Sequence, residues 1–120
     1  MVGKKMKWIR RPWGRYAVIY SDENKKVKII EIKPLKRTSK QYHHHRFEHW
    51  TVLSGNLLAL IGSDVVSISS KDKDPTAFVA ISQVHRIMNP SKKYKLIILE
   101  IQRGKCYERD IIRLEDDFGR

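Results

Sequence analysis

The five histidines of this sequence, His43, His44, His45, His49 and His85, are the residues best placed to do chemistry. Four of them fall between positions 43 and 49, and the fifth stands far downstream. Side chains two residues apart share one face of a β-strand. On an extended chain Gln41, His43 and His45 face one way, and Tyr42, His44 and Arg46 the other. Glu48 adds a carboxylate as the chain enters an apolar run, and His85 lies on a stretch that can pair back near the first set. Imidazole, amide and carboxylate donors together suit zinc, manganese, iron or nickel, without choosing among them. The plain alternatives are a solvated polar loop or a purification tag. An internal position between Tyr42 and Arg46 argues against a tag. The spacing, Glu48 and His85 argue against a loop.

Positioning these groups falls to strands. Tyr16 to Tyr20 is a short apolar run closed by the turn-forming Ser21-Asp22-Glu23-Asn24. Lys26 to Lys33 puts Val27, Ile29 and Glu31 on one face and Lys28, Ile30 and Ile32 on the other, and Pro34 blocks continuation. Phe47 to Leu53 is aromatic and β-branched, and Ser54-Gly55-Asn56 closes it as a hairpin. Leu57 to Ile61, Val65 to Ile68, Phe78 to Ile81 and His85 to Met88 read as further strands. Tyr94 to Gln102 reads as a strand buried on both faces. The spacing predicts helix only as a short turn near Glu108 to Ile112. Short strands at regular intervals predict an all-β sandwich or barrel.

Length and composition set the outer bounds. A chain of 120 residues, 41% hydrophobic, makes one domain with a modest core, so a dimer that buries further apolar surface is expected. No stretch has the ~20 apolar residues that cross a bilayer. The segment from Met1 to Arg11 is basic but lacks the apolar run of a signal peptide, so a cytoplasmic location is expected. Cys106 is the lone cysteine, which excludes an internal disulfide. The net charge of +12 is scattered in pairs such as Lys4-Lys5, Lys25-Lys26 and Lys92-Lys93. No concentrated stripe or base-stacking motif accompanies it, so the sequence predicts a solvated basic surface and no specific nucleic-acid partner.

Gln41-x-His43, Glu48 and Gly55 follow the spacing of the first cupin motif, with Leu35 where that motif begins with glycine. The run from Ala80 to Asn89 follows the second motif; His85 and Asn89 are in place, and Ala80 and Ser82 replace its proline and glycine. A tighter string runs Gln41-Tyr42-His43-His44-His45-Arg46-Phe47-Glu48-His49-Trp50. It is flanked by Arg11-Pro12-Trp13-Gly14 and by Arg113-Leu114-Glu115-Asp116-Asp117-Phe118-Gly119-Arg120. With these flanks the chain resembles the C-terminal cupin domain of type II mannose-6-phosphate isomerases, a domain often fused to a mannose-1-phosphate guanylyltransferase. The resemblance implies a single stand-alone cupin domain over 1–120, its core about 11–120 and a basic segment over 1–10. The implied fold is a double-stranded β-helix, or jelly-roll barrel. The implied cofactor is one divalent metal ion, zinc being typical of the group and manganese, iron, cobalt or nickel possible in its place. The ligands carried over by position are Gln41, His43, Glu48 and His85, and the assembly is a homodimer.

The implied reaction interconverts mannose-6-phosphate and fructose-6-phosphate in nucleotide-sugar and polysaccharide precursor metabolism. The 120 residues hold neither the Gly-rich loop nor the long α/β domain of a nucleotidyltransferase, so no guanylyltransferase activity is expected of them. Moving a proton between adjacent carbons needs a polariser, a base near neutral pH and a phosphate anchor. His45 is the candidate base, with His49 or an unidentified carboxylate behind it. Arg113 is the first candidate for the phosphorylated sugar, followed by Arg46 and Arg120, since arginine forks around phosphate oxygens. Arg86 follows His85 and should point away. Trp13 and Trp50 read as core residues. A non-catalytic cupin that binds sugar phosphates or nucleotide sugars beside a separate guanylyltransferase is the alternative. Leu35 in place of glycine suggests a different backbone route into the metal strand.

Overall fold

Period-two alternation builds this protein. The computed structural model describes residues 6–105 and 109–119. Within them eleven strands form two antiparallel sheets and no helix. The strands are β1 (Ile9–Arg11), β2 (Gly14–Ser21), β3 (Lys25–Ile32), β4 (Lys40–Tyr42), β5 (Arg46–Ser54) and β6 (Asn56–Ile61). They continue as β7 (Asp64–Ser69), β8 (Thr76–Val79), β9 (His85–Met88), β10 (Leu96–Gly104) and β11 (Ile112–Glu115). One sheet runs β1-β2-β3-β10-β5-β8 and the other β11-β4-β9-β6-β7. This is the two-sheet arrangement of the double-stranded β-helix expected from the sequence.

The inner faces of β3, β5 and β10 carry a gradient. Register lines up Ile32 with Leu96, Ile30 with Ile98, and Ile98 with Val52. The next rung is Lys28, Glu100 and Trp50, and beyond it Gln102 faces Glu48. One end of the barrel is therefore apolar, closed by Leu57, Ala59, Ile87 and Trp13. The other end is polar and buried: Lys28, Glu48, Glu100 and Gln102 are each at most 6% exposed. Burying each large apolar side chain contributes roughly 1.5–3 kcal/mol, so the apolar end can hold the polar end in shape.

Turn chemistry sets the connections. Gly55 joins β5 to β6 at φ 88°, and a Cβ there would lie 2.7 Å from the Lys95 carbonyl oxygen. Leu35 and Ser82 stand at φ 61° and 62°. The two motif positions that lost glycine thus keep the left-handed backbone that glycine favours, and Leu35 marks no new backbone route. Three other expectations change. β10 buries one face only: Ile97, Leu99 and Ile101 on its outer face are half-buried. β8 stops at Val79, because Ala80 opens the turn that Ser82 and Gln83 complete. The short strands β1 and β11 were not evident from sequence pattern. The expected helical turn, Glu108 to Ile112, begins on Glu108, which lies outside the described residues; Ile112, at its other end, starts β11.

Candidate metal centre

At the polar end, three short segments bring metal-capable atoms together. Gln41 on β4 pairs in register with His85 on β9. His43 follows β4, and Glu48 points inward from β5. One ligand atom each from His43, Glu48 and His85 lies within 4.8 Å of the others, and all three side chains are buried. Nε2 of His43 is 3.3 Å from one Glu48 oxygen, and Nε2 of His85 is 3.9 Å from the other. Gln41 lines the same cavity, and its Oε1 is buried with no hydrogen-bond partner among the described residues.

Hydrogen bonds fix which imidazole nitrogen faces inward. Nδ1 of His43 lies 2.7 Å from the Asp110 carbonyl oxygen, and Nδ1 of His85 lies 3.0 Å from that of Gln83. A carbonyl can only accept, so both Nδ1 atoms carry hydrogen and turn Nε2 toward Glu48. Trp50 donates its indole N–H to Glu48 at 3.0 Å. Burial opposes ionisation of Glu48, but the His43 imidazole beside it and the charges around it, Arg46 among them, hold its carboxyl well below the usual range. Burial pushes the His85 imidazole down, against the pull of Glu48. Two imidazoles, one carboxylate and an orphaned amide oxygen form a donor set that fits a divalent ion.

The expectation that His45 shares a face with Gln41 and His43 fails. β4 ends at Tyr42, a bend covers His44 and His45, and both side chains are exposed. Asp110 makes this bend: its carboxylate accepts the backbone N–H of His44 at 3.0 Å and of His45 at 2.8 Å. Burial works against that carboxylate, but the two donors hold it below its ordinary range. The bend instead brings Arg46 into the cavity that Glu48 lines, buried at 6% exposure. His49 packs on the outer face against Phe78, ring centroids 4.9 Å apart, within reach of Arg103. Arg86 points out of the cavity, donating to the backbone of Thr38 and Glu115. Arg113 lines the cavity from β11. Arg120 lies outside the described residues. Trp13 and Trp50 are core residues whose edges also reach the cavity.

Sequence reading missed two groups. Asp110, which sets the His43 tautomer and the bend, leaves no periodic signal. Glu100 does leave one. In Leu96, Ile98, Glu100, Gln102 a carboxylate continues the buried face of an alternating strand. Burial first, and repulsion from Glu48 second, push the Glu100 carboxyl up to about 7. Lys28 is its register partner on β3, and Gln102 donates an amide hydrogen to it.

Comparison with known proteins bears on this site. A family described as "Mannose-6-phosphate isomerase C-terminal" matches residues 3–116. Mannose-1-phosphate guanylyltransferase from Salmonella muenchen is 39% identical over 117 residues, covering 97% of this chain and 24% of that protein. Alginate biosynthesis protein AlgA from Pseudomonas aeruginosa is 39% identical over 113 residues, covering 93% of this chain and 23% of its own. The chain thus spans about a quarter of the length of these relatives. Among solved structures, the capsular polysaccharide assembling protein CapF from Staphylococcus aureus aligns with a TM-score of 0.80 at 16% identity, over 94% of this chain and 33% of that one. A conserved Klebsiella pneumoniae protein with a double-stranded beta-helix domain aligns at 0.70 and 20% identity, over 97% of this chain and 86% of that one. At such identities the likeness shows the fold, a double-stranded β-helix.

Proposed function

The chain belongs to the mannose-6-phosphate isomerase C-terminal family, and from that premise we propose that its cavity interconverts mannose-6-phosphate and fructose-6-phosphate with a divalent ion, zinc foremost. One observation carries the reading. A single cavity joins Gln41, His43, Glu48 and His85 to the cationic Arg11, Lys28, Arg46 and Arg113 and to the protonatable Glu100. That is a polariser's seat, an anion's seat and a proton carrier in one place.

An ion held by Gln41, His43, Glu48 and His85 would polarise the sugar's carbonyl and hydroxyl oxygens as a Lewis acid. The chain's own residues do the rest. Glu100, with a carboxyl pushed up to about 7, takes the proton from one carbon and returns it to the next near neutral pH. It takes the part assigned by sequence to His45. Arg11 and Arg113 reach the cavity from the edge strands β1 and β11, where a phosphate can enter from solvent. Arginine forks suit its oxygens. Trp50 and Tyr16 wall the sugar side and exclude water.

The test is turnover by protein loaded with zinc, manganese or cobalt. Interconversion of the two sugar phosphates is expected, along with exchange of the migrating hydrogen with solvent. Glu100→Gln should lower the rate about 100-fold or more while metal content stays whole. Demonstrable metal binding with no turnover by the unaltered protein sinks the reading.

A further inference from the structure

Arg46 opens β5 directly after the bend and reaches the proposed metal ligands themselves. Its Nη2 lies 3.0 Å from Nε2 of His43, and its Nε lies 3.3 Å from Oε2 of Glu48. These are the atoms through which the two residues would grip an ion. An imidazole nitrogen has one lone pair, so Nε2 of His43 can accept from Arg46 or bind a metal, but not both. The third guanidinium nitrogen, Nη1, is buried with no partner among the described residues, in the cavity that Arg11, Lys28 and Arg113 also line.

The electrostatics point the same way. Glu48 is buried, and the guanidinium Nε–H of Arg46 reaches its Oε2. A buried carboxylate needs a cation beside it. Arg46 supplies one, and a divalent ion would supply another, at the same oxygen. Two cations on these few atoms repel strongly in a poorly solvated cavity.

We infer that Arg46 is an exchangeable occupant of the metal site. Its guanidinium and the divalent ion hold His43 Nε2 and Glu48 Oε2 by turns, and the arriving ion sends the guanidinium into the cavity as an anion ligand. Metal uptake thereby arms the anion seat. This rests on the metal-site reading above and goes beyond it, because it assigns one arginine two successive positions.

The experiment titrates chelator-treated protein with Co(II) alone, followed by its visible absorption and by calorimetry, in the unaltered chain, Arg46→Gln and Arg113→Gln. Arg113→Gln removes the same charge at a position with no hydrogen bond to the ligand atoms and so sets the electrostatic baseline. Arg46→Gln should bind Co(II) about tenfold or more tighter than that baseline, since two charge-assisted hydrogen bonds no longer compete. In the unaltered chain the Arg46 Nε–H resonance should move on saturation with Zn(II), and this measurement decides the matter if Arg46→Gln does not fold. Affinity no higher than the baseline, or an Arg46 resonance unmoved by zinc, overturns the exchange while leaving the metal site standing. No Co(II) binding by any of the three proteins removes both.

Discussion

Glu100→Gln offers a measurement that needs neither substrate nor metal. The side chains are of equal size, and the amide keeps an oxygen for the Gln102 N–H. What the change removes is a titration. In the unfolded chain this carboxyl ionises near its ordinary 4.5, and in the folded protein burial first and Glu48 second raise that to about 7. Below pH 4.5 both states are protonated and the group has no effect on folding. Between pH 4.5 and 7 the unfolded chain releases a proton that the folded one keeps, so stability falls as pH rises. Above 7 both are ionised and the loss is complete. At about 1.4 kcal/mol for each tenfold step, the loss is about 3 kcal/mol. Glutamine does not titrate. The stability of the variant minus that of the unaltered chain should therefore be flat below pH 4.5, climb by about 3 kcal/mol to pH 7, and level off. Urea unfolding in chelator, followed by tryptophan fluorescence from pH 4 to 8, reads this directly. Ionisation of groups that do not face Glu100 is common to both proteins and cancels. Parallel pH profiles for the two would refute the placement of Glu100 as a buried, protonated carboxyl.

Other expectations follow from single contacts. His85→Ala and Gln41→Ala should each lose bound metal by elemental analysis, His85 the more completely because its imidazole is one of the three convergent buried groups that could hold an ion. Asp110→Ala frees the bend and the N–H groups of His44 and His45, and metal affinity measured by competition with a chelator dye should fall about 10- to 100-fold. Asn89 is fully buried and donates to the carbonyls of Ile32 and Tyr94 while accepting from Ser91; Asn89→Ala should cost about 2–3 kcal/mol in urea unfolding, with the m-value unchanged. Leu35→Gly should stabilise by roughly 1 kcal/mol, because the position has positive φ and its side chain is half exposed; a loss of that size would show that the exposed leucine packs.

Two of the strands that position the site, β3 and β5, were legible because each alternates. Lys28, Ile30 and Ile32 shared a face on paper and share it in the barrel. Glu48 and His85 were legible from residue type and motif spacing, and the cavity joins them. What stayed hidden turns on breaks in the period. His45 was assigned by counting two residues from His43, and the Asp110 contacts that end that count come from 65 residues downstream. The same break put Arg46, two places past His44, on the inner face instead of the outer one. Glu100 was masked differently. The run Leu96 to Leu99 is apolar at every position, so it reads as a doubly buried strand, and the alternation emerges only once Glu100 and Gln102 are counted with it.

The polar rungs are hard to explain as fold architecture. Apolar residues of similar volume at Lys28, Glu48, Glu100 and Gln102 would extend the core formed by Ile30, Ile98 and Val52, and such replacements are often neutral or stabilising. Around the cavity the chain instead buries Glu48, Glu100, Arg46 and Lys28, and leaves three polar atoms, on Gln41, Arg46 and Gln102, without partners among the described residues. Each unsatisfied atom costs about 1–3 kcal/mol. Gln41 Oε1 is the acceptor that the divalent ion would take; of the other two, Gln102 Oε1 is an acceptor and Arg46 Nη1 a donor. A single organic ligand satisfies both of these only if it brings both kinds of group. A hydroxylated, anionic molecule does so, a hydroxyl donating to the Gln102 amide oxygen and its anion accepting from Arg46. An uncharged sugar would leave the cationic groups of the cavity without an anion. The binding of mannose-6-phosphate should therefore exceed that of mannose by at least about tenfold, and the gap should narrow as salt is raised. Equal affinity for the two in low salt would mean that the arginines serve the barrel and not the ligand.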